Sequence, residues 1–185
     1  MAVERELVEM ARRGNEQAFE AIVRLSADRL YAVAYRILRD ADAADDAMQE
    51  AIVEAWKDLA MLRDADHLDA WLNRVVVRSC YRSLRRDRSH QERIRHIRPD
   101  TAGGEVDFVR IAERDELAEP FRRLSGEHRA VVVLRFYLGL SLPEIAETIG
   151  IPLGTAASRL HYALREMRAS VEADDRKVVA MRPRA

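Results

Sequence analysis

The C-terminal third of the chain, at residues 141–168, contains a pattern that predicts two consecutive helices joined by a tight turn. Ser141 lies three residues before Glu144, which is the spacing of a capping box. Pro143 falls in the first helical turn, where its missing N–H breaks no hydrogen bond. Gly150 follows the first apolar repeat, at the position where a helix can end in the left-handed conformation that glycine tolerates best. The pattern therefore predicts a helix–turn–helix.

The second of these two helices separates into an apolar face and a polar face. Its apolar residues recur with the 3.6-residue period of a helix and form the predicted core stripe: Leu153, Ala156, Ala157, Leu160, Ala163, Leu164 and Met167. The opposite face carries groups that suit phosphates and base edges: Thr155, Ser158, Arg159, Tyr162 and Arg165. A helical hairpin whose polar face only meets water would have the same pattern. Because such a second helix lies in the DNA major groove in helix–turn–helix proteins, we favour DNA binding.

Composition extends the helical prediction to the whole chain. Of the 185 residues, 48% are hydrophobic and 34% are charged, with seven Gly and five Pro, and alternating runs of β-branched residues do not occur. An all-α fold is predicted. The N-terminus is charged from Glu4 onward, unlike a signal peptide, and no apolar stretch approaches membrane-spanning length. We therefore expect a cytoplasmic protein without direct membrane insertion.

The chemistry-bearing residues do not form the patterns of an enzyme or a metal protein. The one cysteine, Cys80, excludes an internal disulfide and any multi-thiolate metal site, and the five histidines lack the spacing of a metal motif. The sequence also lacks a nucleophile–base set and a glycine loop that could cradle phosphates. We expect no catalytic residues, no metal and no cofactor.

The formal net charge of −1 conceals a separation of charge along the chain. Residues 1–58 contain eight Lys and Arg against thirteen Asp and Glu, whereas residues 74–98 contain nine Arg against two acidic residues. A DNA-binding protein that acts alone usually has a basic surplus, because phosphate neutralisation supplies much of its affinity. The acidic segment suits a basic protein surface instead. This separation indicates that DNA binding depends on a partner.

Breaks in the apolar pattern divide the chain into two small helical domains. Pro99 and the Gly103-Gly104 pair interrupt any helix between residues 89 and 113, so this segment is the predicted flexible linker. Fully extended, it would span ~80 Å. That length lets the two domains touch separate sites about 34 Å apart on one face of a duplex.

The segments on either side of the linker are predicted to be helical bundles. In the first domain, residues 1–88, three helices are expected at 3–13, 15–38 and 43–59, and Asp69 is expected to cap a fourth that runs to about residue 88. The second domain, residues 114–170, is expected to be a four-helix domain that contains the helix–turn–helix. Residues 171–185 are predicted to form a disordered tail.

Three segments of the chain together resemble one known protein family. They are A-A-D-D-A-M-Q-E-A-I-V-E-A-W at residues 43–56, A-W-L-N-R-V-V-V-R-S-C-Y-R-S-L-R-R-D-R at residues 70–88, and the helix–turn–helix with its wording I-P-L-G-T-A-A-S-R-L. In this order they resemble the polymerase-binding, −10 and −35 regions of a group IV, or extracytoplasmic-function, sigma factor of the sigma-70 family. The resemblance implies an alternative-sigma transcription initiation factor that binds core RNA polymerase and directs it to specific promoters.

The resemblance also gives each segment a partner. On the acidic helix, the face implied to dock on the clamp helices of the largest polymerase subunit consists of Asp45, Asp46, Gln49, Glu50 and Val53. Trp56 is expected to be a core anchor. The implied −10 contacts form a stripe of arginines, Arg74, Arg78, Arg82, Arg85 and Arg86, and arginines at this spacing suit phosphate. The implied −35 contacts are Thr155, Ser158, Arg159, Tyr162 and Arg165. The loop at residues 61–68 is implied to capture a −10 base, and an anti-sigma factor is implied as a regulator.

The sequence departs from the family pattern at three positions. Many relatives carry Asn and Asp where Arg78 and Arg82 stand, which predicts stronger backbone affinity at the −10 region. Ala157 replaces a frequent Lys or Arg and removes one −35 contact.

Two other functions remain open on the sequence. A stand-alone helix–turn–helix regulator would bind its operator without polymerase, and a sigma-like protein could sequester a regulator through its N-terminal half.

Overall fold

The computed structural model describes residues 5–93 and 118–180, with side chains at residues 5–86 and 118–173. Every element in these ranges is helical, as the all-α prediction requires. The chain divides into two compact units, Met1–Gly104 and Glu105–Ala185. This division falls inside the predicted linker. Residues 94–113 of that linker, residues 114–117 of the predicted second domain and residues 181–185 of the predicted tail lie outside the described ranges.

The described part of the first unit contains four α-helices: α1 (Arg5–Arg12), α2 (Glu16–Leu38), α3 (Ala41–Asp58) and α4 (Leu68–Arg93). Side chains cap two of them. The Oδ1 atom of Asn15 accepts a hydrogen bond from the N–H of Ala18 at 2.9 Å, and Oδ1 of Asp40 accepts one from the N–H of Ala43 at 2.9 Å. The short 3-10 turns Leu59–Met61 and Ala65–His67 connect α3 to α4.

Helix α4 differs from its prediction at both ends. It begins at Leu68, so the predicted cap at Asp69 is wrong; the Asp69 carboxylate lies in the first turn and accepts a hydrogen bond from Arg29 at 2.7 Å. Asp64 caps the preceding 3-10 turn by accepting from the N–H of Asp66 at 3.0 Å. At its other end the helix continues to Arg93, because residues 89–93 contain no Gly or Pro to end it.

The core of the first unit lies between α2, α3 and α4. Its largest enclosed side chains include Ile22, Val33, Ile37, Val76 and Val77. Helix α3 contributes mainly small side chains, Ala44, Ala47, Ala51 and Ala55. Small residues allow helices to pack closely, so one face of α3 is fixed against its neighbours while the opposite face stays exposed.

Cys80 is fully buried within α4. Burial raises the pKa of its thiol to about 12. The thiol therefore stays protonated near neutral pH and unreactive, because only the thiolate is a strong nucleophile.

The described part of the second unit contains α5 (Ala118–Arg123), α6 (Gly126–Val132), α7 (Leu142–Ile149) and α8 (Leu153–Ala180), with a π-helical turn, Val133–Tyr137, after α6. Helices α7 and α8 form the predicted helix–turn–helix. The N–H and Oγ of Ser141 both donate to Oε2 of Glu144, at 2.9 Å and 2.6 Å. Gly150 ends α7 with a φ of 66°, and its N–H donates to the carbonyl of Ala146. The predicted capping and stop signals are confirmed.

The core of the second unit contains Leu124, Val132 and Ala163, with Phe121, Leu160 and Met167 packed against them. Leu153 and Leu164 are 51% and 39% exposed, so their assignment to the core stripe is wrong. Leu164 lies about 100° around the helix from the buried Ala163, and Leu153 occupies the first position of α8.

Helix α8 runs to Ala180, so the predicted disordered tail is wrong for residues 171–180, which contain neither Gly nor Pro.

Candidate functional site

The exposed face of α3 gathers most of the predicted polymerase-binding residues. Asp45, Asp46, Gln49 and Val53 are exposed, and Val53 has 54% of its surface accessible although it is apolar. Glu50 is half-buried at the edge of this face. An exposed apolar side chain among acidic and amide groups is compatible with contact to a basic protein surface. We call these four exposed residues the α3 face.

An open groove continues this surface toward α4. Its lining residues are Gln49, Glu50, Val53, Glu54, Lys57, Asp58 and Arg82. Glu54, Lys57 and Asp58 belong to this surface but were not among the predicted docking residues. Glu54 and Lys57 lie one helical turn after Glu50 and Val53, and Asp58 lies one turn after Glu54, which is the signal that could have included them. The groove shows that an arginine of the predicted −10 stripe shares one surface with the predicted docking residues.

Aromatic side chains support α3 from α2. The ring of Trp56 lies 5.0 Å from the ring of Phe19, although Trp56 remains 37% exposed. Burial, and then the nearby Asp45 carboxylate, raise the pKa of Tyr31 in α2. Trp56 thus lies at the edge of the core, and the acidic start of α3 lies within electrostatic range of α2.

The arginines of α4 have different environments. Arg78 and Arg85 are exposed, and Arg74 is half-buried. Arg82 Nη2 lies 2.5 Å from Glu54 Oε2, and Arg86 Nη2 lies 2.8 Å from Glu50 Oε1. Two arginines of the predicted stripe, Arg82 and Arg86, are therefore ion-paired with α3.

The loop between α3 and α4 is tied to the N-terminal helix. Arg5 donates to Asp66 at 2.8 and 3.2 Å and to Asp64 at 3.3 Å. The hydrogen bond from the N–H of Asp66, and then the neighbouring His67 and Arg5, hold the pKa of the Asp64 carboxyl below its usual value. Met61, in the same loop, is 80% exposed. Arg5 could not be predicted as part of this loop's surroundings, because nothing local in the sequence connects it to residues some sixty positions away.

The polar face of α8 presents a compact set of groups. Ser158, Tyr162 and Arg165 are exposed, Thr155 is half-buried, and the Arg165 guanidinium lies over the Tyr162 ring at 5.1 Å. The side chain of Arg159 is only 18% exposed and pairs with Glu127 of α6 at 2.8 Å. Four of the five predicted −35 residues thus lie at the surface of α8 or its first turn, and Arg159 lies partly beneath them.

Two other kinds of feature, a metal-binding cluster and a membrane-spanning helix, are absent from the described residues. No group of three or more His, Cys, Asp or Glu side chains in the described ranges is arranged to hold a metal ion. Among the helices of residues 5–93 and 118–180, none is both long and apolar enough to cross a membrane.

Comparison with known proteins assigns both units. Residues 22–90 match the family model of sigma-70 region 2, and residues 121–169 match that of sigma-70 region 4. The ECF RNA polymerase sigma factor SigL of Mycobacterium tuberculosis is 34% identical over 157 residues, which cover 77% of this chain and 82% of that protein. The ECF RNA polymerase sigma factor SigW of Bacillus subtilis is 25% identical over 173 residues, covering 87% and 92%.

Two solved structures share the fold. The sigma factor RpoE of Bartonella quintana, in complex with the anti-sigma factor NepR, has a TM-score of 0.59 at 22% identity and covers 84% of this chain and 98% of its own. CnrH, in complex with the cytosolic domain of CnrY, has a TM-score of 0.57 at 24% identity and covers 93% and 99%. On the region matches and the identity to SigL, this chain belongs to the extracytoplasmic-function sigma factors of the sigma-70 family, and it is an alternative sigma factor that acts in transcription initiation.

Proposed function

We propose that the α3 face binds the clamp helices of the largest subunit of core RNA polymerase. The observation that carries this proposal is the exposed cluster of Asp45, Asp46, Gln49 and Val53 on a helix whose other face is fixed by buried alanines. Carboxylates on such a preorganised surface complement a basic partner, and Val53 supplies apolar contact area.

We further propose that α4 and the adjoining loop contact the −10 region, and that α8 contacts the −35 region. Exposed arginines on α4 suit the phosphates and bases of an unpaired strand. On α8, Ser158, Tyr162 and Arg165 are available at the surface for base edges and phosphates. Binding energy spent on an unstacked promoter base would favour the open duplex. Polymerase performs the nucleotidyl transfer, and this chain contributes no catalytic group.

The proposed function also includes a protein regulator and a location in the cell. One solved neighbour, the sigma factor RpoE, is in complex with the anti-sigma factor NepR, and the other, CnrH, is in complex with the cytosolic domain of CnrY. We propose an anti-sigma factor for this chain, which would compete with polymerase for the α3 face. The protein would act in the cytoplasm and associate with the nucleoid when bound to polymerase.

The decisive experiment is a charge reversal on the α3 face. Asp46→Arg should weaken binding to purified core polymerase by about 2 kcal/mol or more, roughly 30-fold, because it places a cation against a basic partner. Asp28→Arg is the matched control, since Asp28 is an exposed acidic residue on α2 of the same unit. Equal affinities for the two variants, with helical circular dichroism intact, would rule out this docking surface.

Promoter selection needs its own assay. Transcription in vitro from genomic fragments, with and without this chain, should reveal start sites that depend on it. A gel shift with the purified chain separates the remaining alternative, because a stand-alone regulator would bind its site tightly without polymerase. If no fragment has a start site that depends on this chain, the promoter-selection role is contradicted.

A further inference from the structure

We propose that two arginines of α4, Arg82 and Arg86, hold the docking helix α3 in place instead of contacting promoter DNA. The carboxylates that they hold, Glu54 and Glu50, are positioning residues as well. This inference rests on the proposed function and divides both predicted sets of site residues. Polymerase contact falls to Asp45, Asp46, Gln49 and Val53, and among the α4 arginines the exposed Arg85 is retained as a −10 contact.

The contacts between α3 and α4 occupy both carboxylates. Glu50 Oε1 pairs with Arg86 at 2.8 Å, and Glu50 Oε2 accepts a hydrogen bond from the Ser79 hydroxyl at 3.2 Å. Glu54 Oε2 pairs with Arg82 at 2.5 Å. The Glu50 and Glu54 side chains are 38% and 27% exposed, less than the arginines that they meet. Both oxygens of Glu50 therefore already accept from α4 before any partner binds.

Helix geometry explains why the arginine stripe divides. At about 100° per residue, Arg82 and Arg86 lie about 40° and 80° around α4 from Arg78, on the side of Ser79. Arg85 lies about 20° to the other side of Arg78. The edge of the stripe nearest Ser79 therefore meets α3, and Arg85 lies on its opposite edge.

The two ion pairs restrict how α3 can move. Glu50 and Glu54 are one helical turn apart, and so are their partners Arg86 and Arg82, in the reversed order of an antiparallel pair. Two links spaced by a turn oppose both sliding of α3 along α4 and rotation about its own axis. Because Arg82, Glu50 and Glu54 line the same groove as Gln49 and Val53, this restraint acts directly on the proposed docking surface.

The first test separates positioning from DNA contact by the salt dependence of promoter binding. Each phosphate contact contributes about 0.7 to 0.9 to the slope of log affinity against log salt. For polymerase assembled with the Arg82→Gln/Arg86→Gln variant, we expect a slope within about 0.3 of wild type. Arg85→Gln, on the same helix, should reduce the slope by about 0.7 or more.

Each outcome of this test has a distinct meaning. A slope reduced by about 1.4 or more in the double variant would overturn the inference, because two phosphate contacts would have been lost. An unchanged slope for Arg85→Gln would count against the proposed −10 contact of α4, which is a failure of the proposed function instead. If Arg82 and Arg86 only stabilise the fold and do not position α3, the double variant should lower the unfolding midpoint and leave the affinity for core polymerase unchanged.

The second test exchanges the charges of one pair. Glu54→Arg alone should weaken binding to core polymerase about threefold or more, and adding Arg82→Glu should restore it to within about twofold. Affinity that stays weak in the exchanged pair would mean that Glu54 contacts polymerase directly, and it would overturn the inference. Asp46→Arg, measured alongside, reports separately whether the α3 face docks at all.

Discussion

Helices α3 and α8 each present a proposed partner surface, but the two units hold these helices by different means. Helix α3 packs a row of buried alanines against helices that supply large enclosed side chains, and its ion pairs with α4 lie at the surface. In the second unit, α5, α6 and α7 have only six to eight residues. Polar links there join α8 to its neighbours: Arg159 to Glu127 at 2.8 Å, His128 to Glu166 at 3.2 Å and Arg123 to Ser170 at 3.1 Å.

This difference shows how burial changes the contribution of an ion pair to the stability of the fold. Arg159 and Glu127 are 18% and 24% exposed, whereas Arg86 and Glu50 are 59% and 38% exposed. A surface pair contributes about 0.2 to 1 kcal/mol, because water and salt screen it. Removing one partner of a more buried pair costs more, since the remaining charge loses both its counter-ion and its water. The second unit should therefore be the more sensitive to a single polar substitution.

The largest expected effect tests this contrast with one substitution in each unit. Glu127→Ala should destabilise the second unit by about 1 to 3 kcal/mol, because it leaves the Arg159 guanidinium partly buried without this carboxylate. Glu54→Ala, its counterpart in the first unit, should cost about 1 kcal/mol or less, because the arginine left behind, Arg82, is 45% exposed and stays hydrated.

Each unit can be followed separately in the full chain. Trp56 and Trp71 are its two tryptophans, so fluorescence during denaturant unfolding follows the first unit. Hydrogen exchange of peptides from residues 121–169 follows the second. Equal losses of stability in the two variants would mean that burial does not distinguish the two kinds of ion pair.

A smaller effect concerns how a helix ends in each unit. Gly150 ends α7 with a φ of 66°, and Arg39 follows α2 with a φ of 58°. Gly150→Ala should cost about 1 kcal/mol, because a side chain in the left-handed region is strained. A Cβ at this position meets no atom within 4 Å, so the cost is that of the backbone alone. Hydrogen exchange in α7 and α8 measures it.

Arg39 provides the comparison. Its guanidinium lies 5.2 Å from the centre of the Tyr35 ring, a contact that contributes about 0.5 to 1 kcal/mol at an exposed site. Arg39→Gly relieves the backbone but removes this contact, so we expect a net change within about 0.5 kcal/mol. A large stabilisation by Arg39→Gly would show that the ring contact contributes little.

The smallest effect concerns the loop that Arg5 ties to α1. Arg5→Gln should increase hydrogen exchange at residues 60–67 while leaving the global unfolding midpoint nearly unchanged, since these ion pairs are exposed. The pKa of Asp64 is lowered by folding, so its contribution is present above its unfolded pKa and is lost as the pH falls through its folded value. The protection of this loop in the wild type, expressed relative to the intrinsic exchange rate at each pH, should therefore fall at acidic pH. If residues 60–67 are as protected from hydrogen exchange in Arg5→Gln as in the wild type, the Arg5 ion pairs do not hold this loop.

Features written in neighbouring residues were predictable from the sequence. The capping box of Ser141 and Glu144, the stop at Gly150 and the acidic face of α3 each depend on residues within two helical turns, and the structure has all of them. The predicted start of α4 failed for a related reason. Asp64 and Asp69 can both accept a hydrogen bond from a backbone N–H at the start of a helix. In the structure Asp64 does so, whereas the Asp69 carboxylate accepts from Arg29, forty residues away.

Contacts between residues distant in the sequence could not be predicted from local sequence patterns. Helical periodicity placed five arginines on one stripe of α4 but could not show which edge of the stripe meets α3. The partner of Arg82 lies 28 residues away on another helix. Arg159 presents the same difficulty, because its spacing on α8 suits DNA while its depth depends on where α6 packs.

The burial of Cys80 has a practical consequence for studying this protein. It is the one cysteine of the chain, and its protonated, enclosed thiol will react slowly with maleimides and iodoacetamides. A cysteine introduced on the surface of each unit can therefore carry a fluorophore without removing the natural one. Such a doubly labelled chain would report by energy transfer how the distance between its two halves changes when a partner binds.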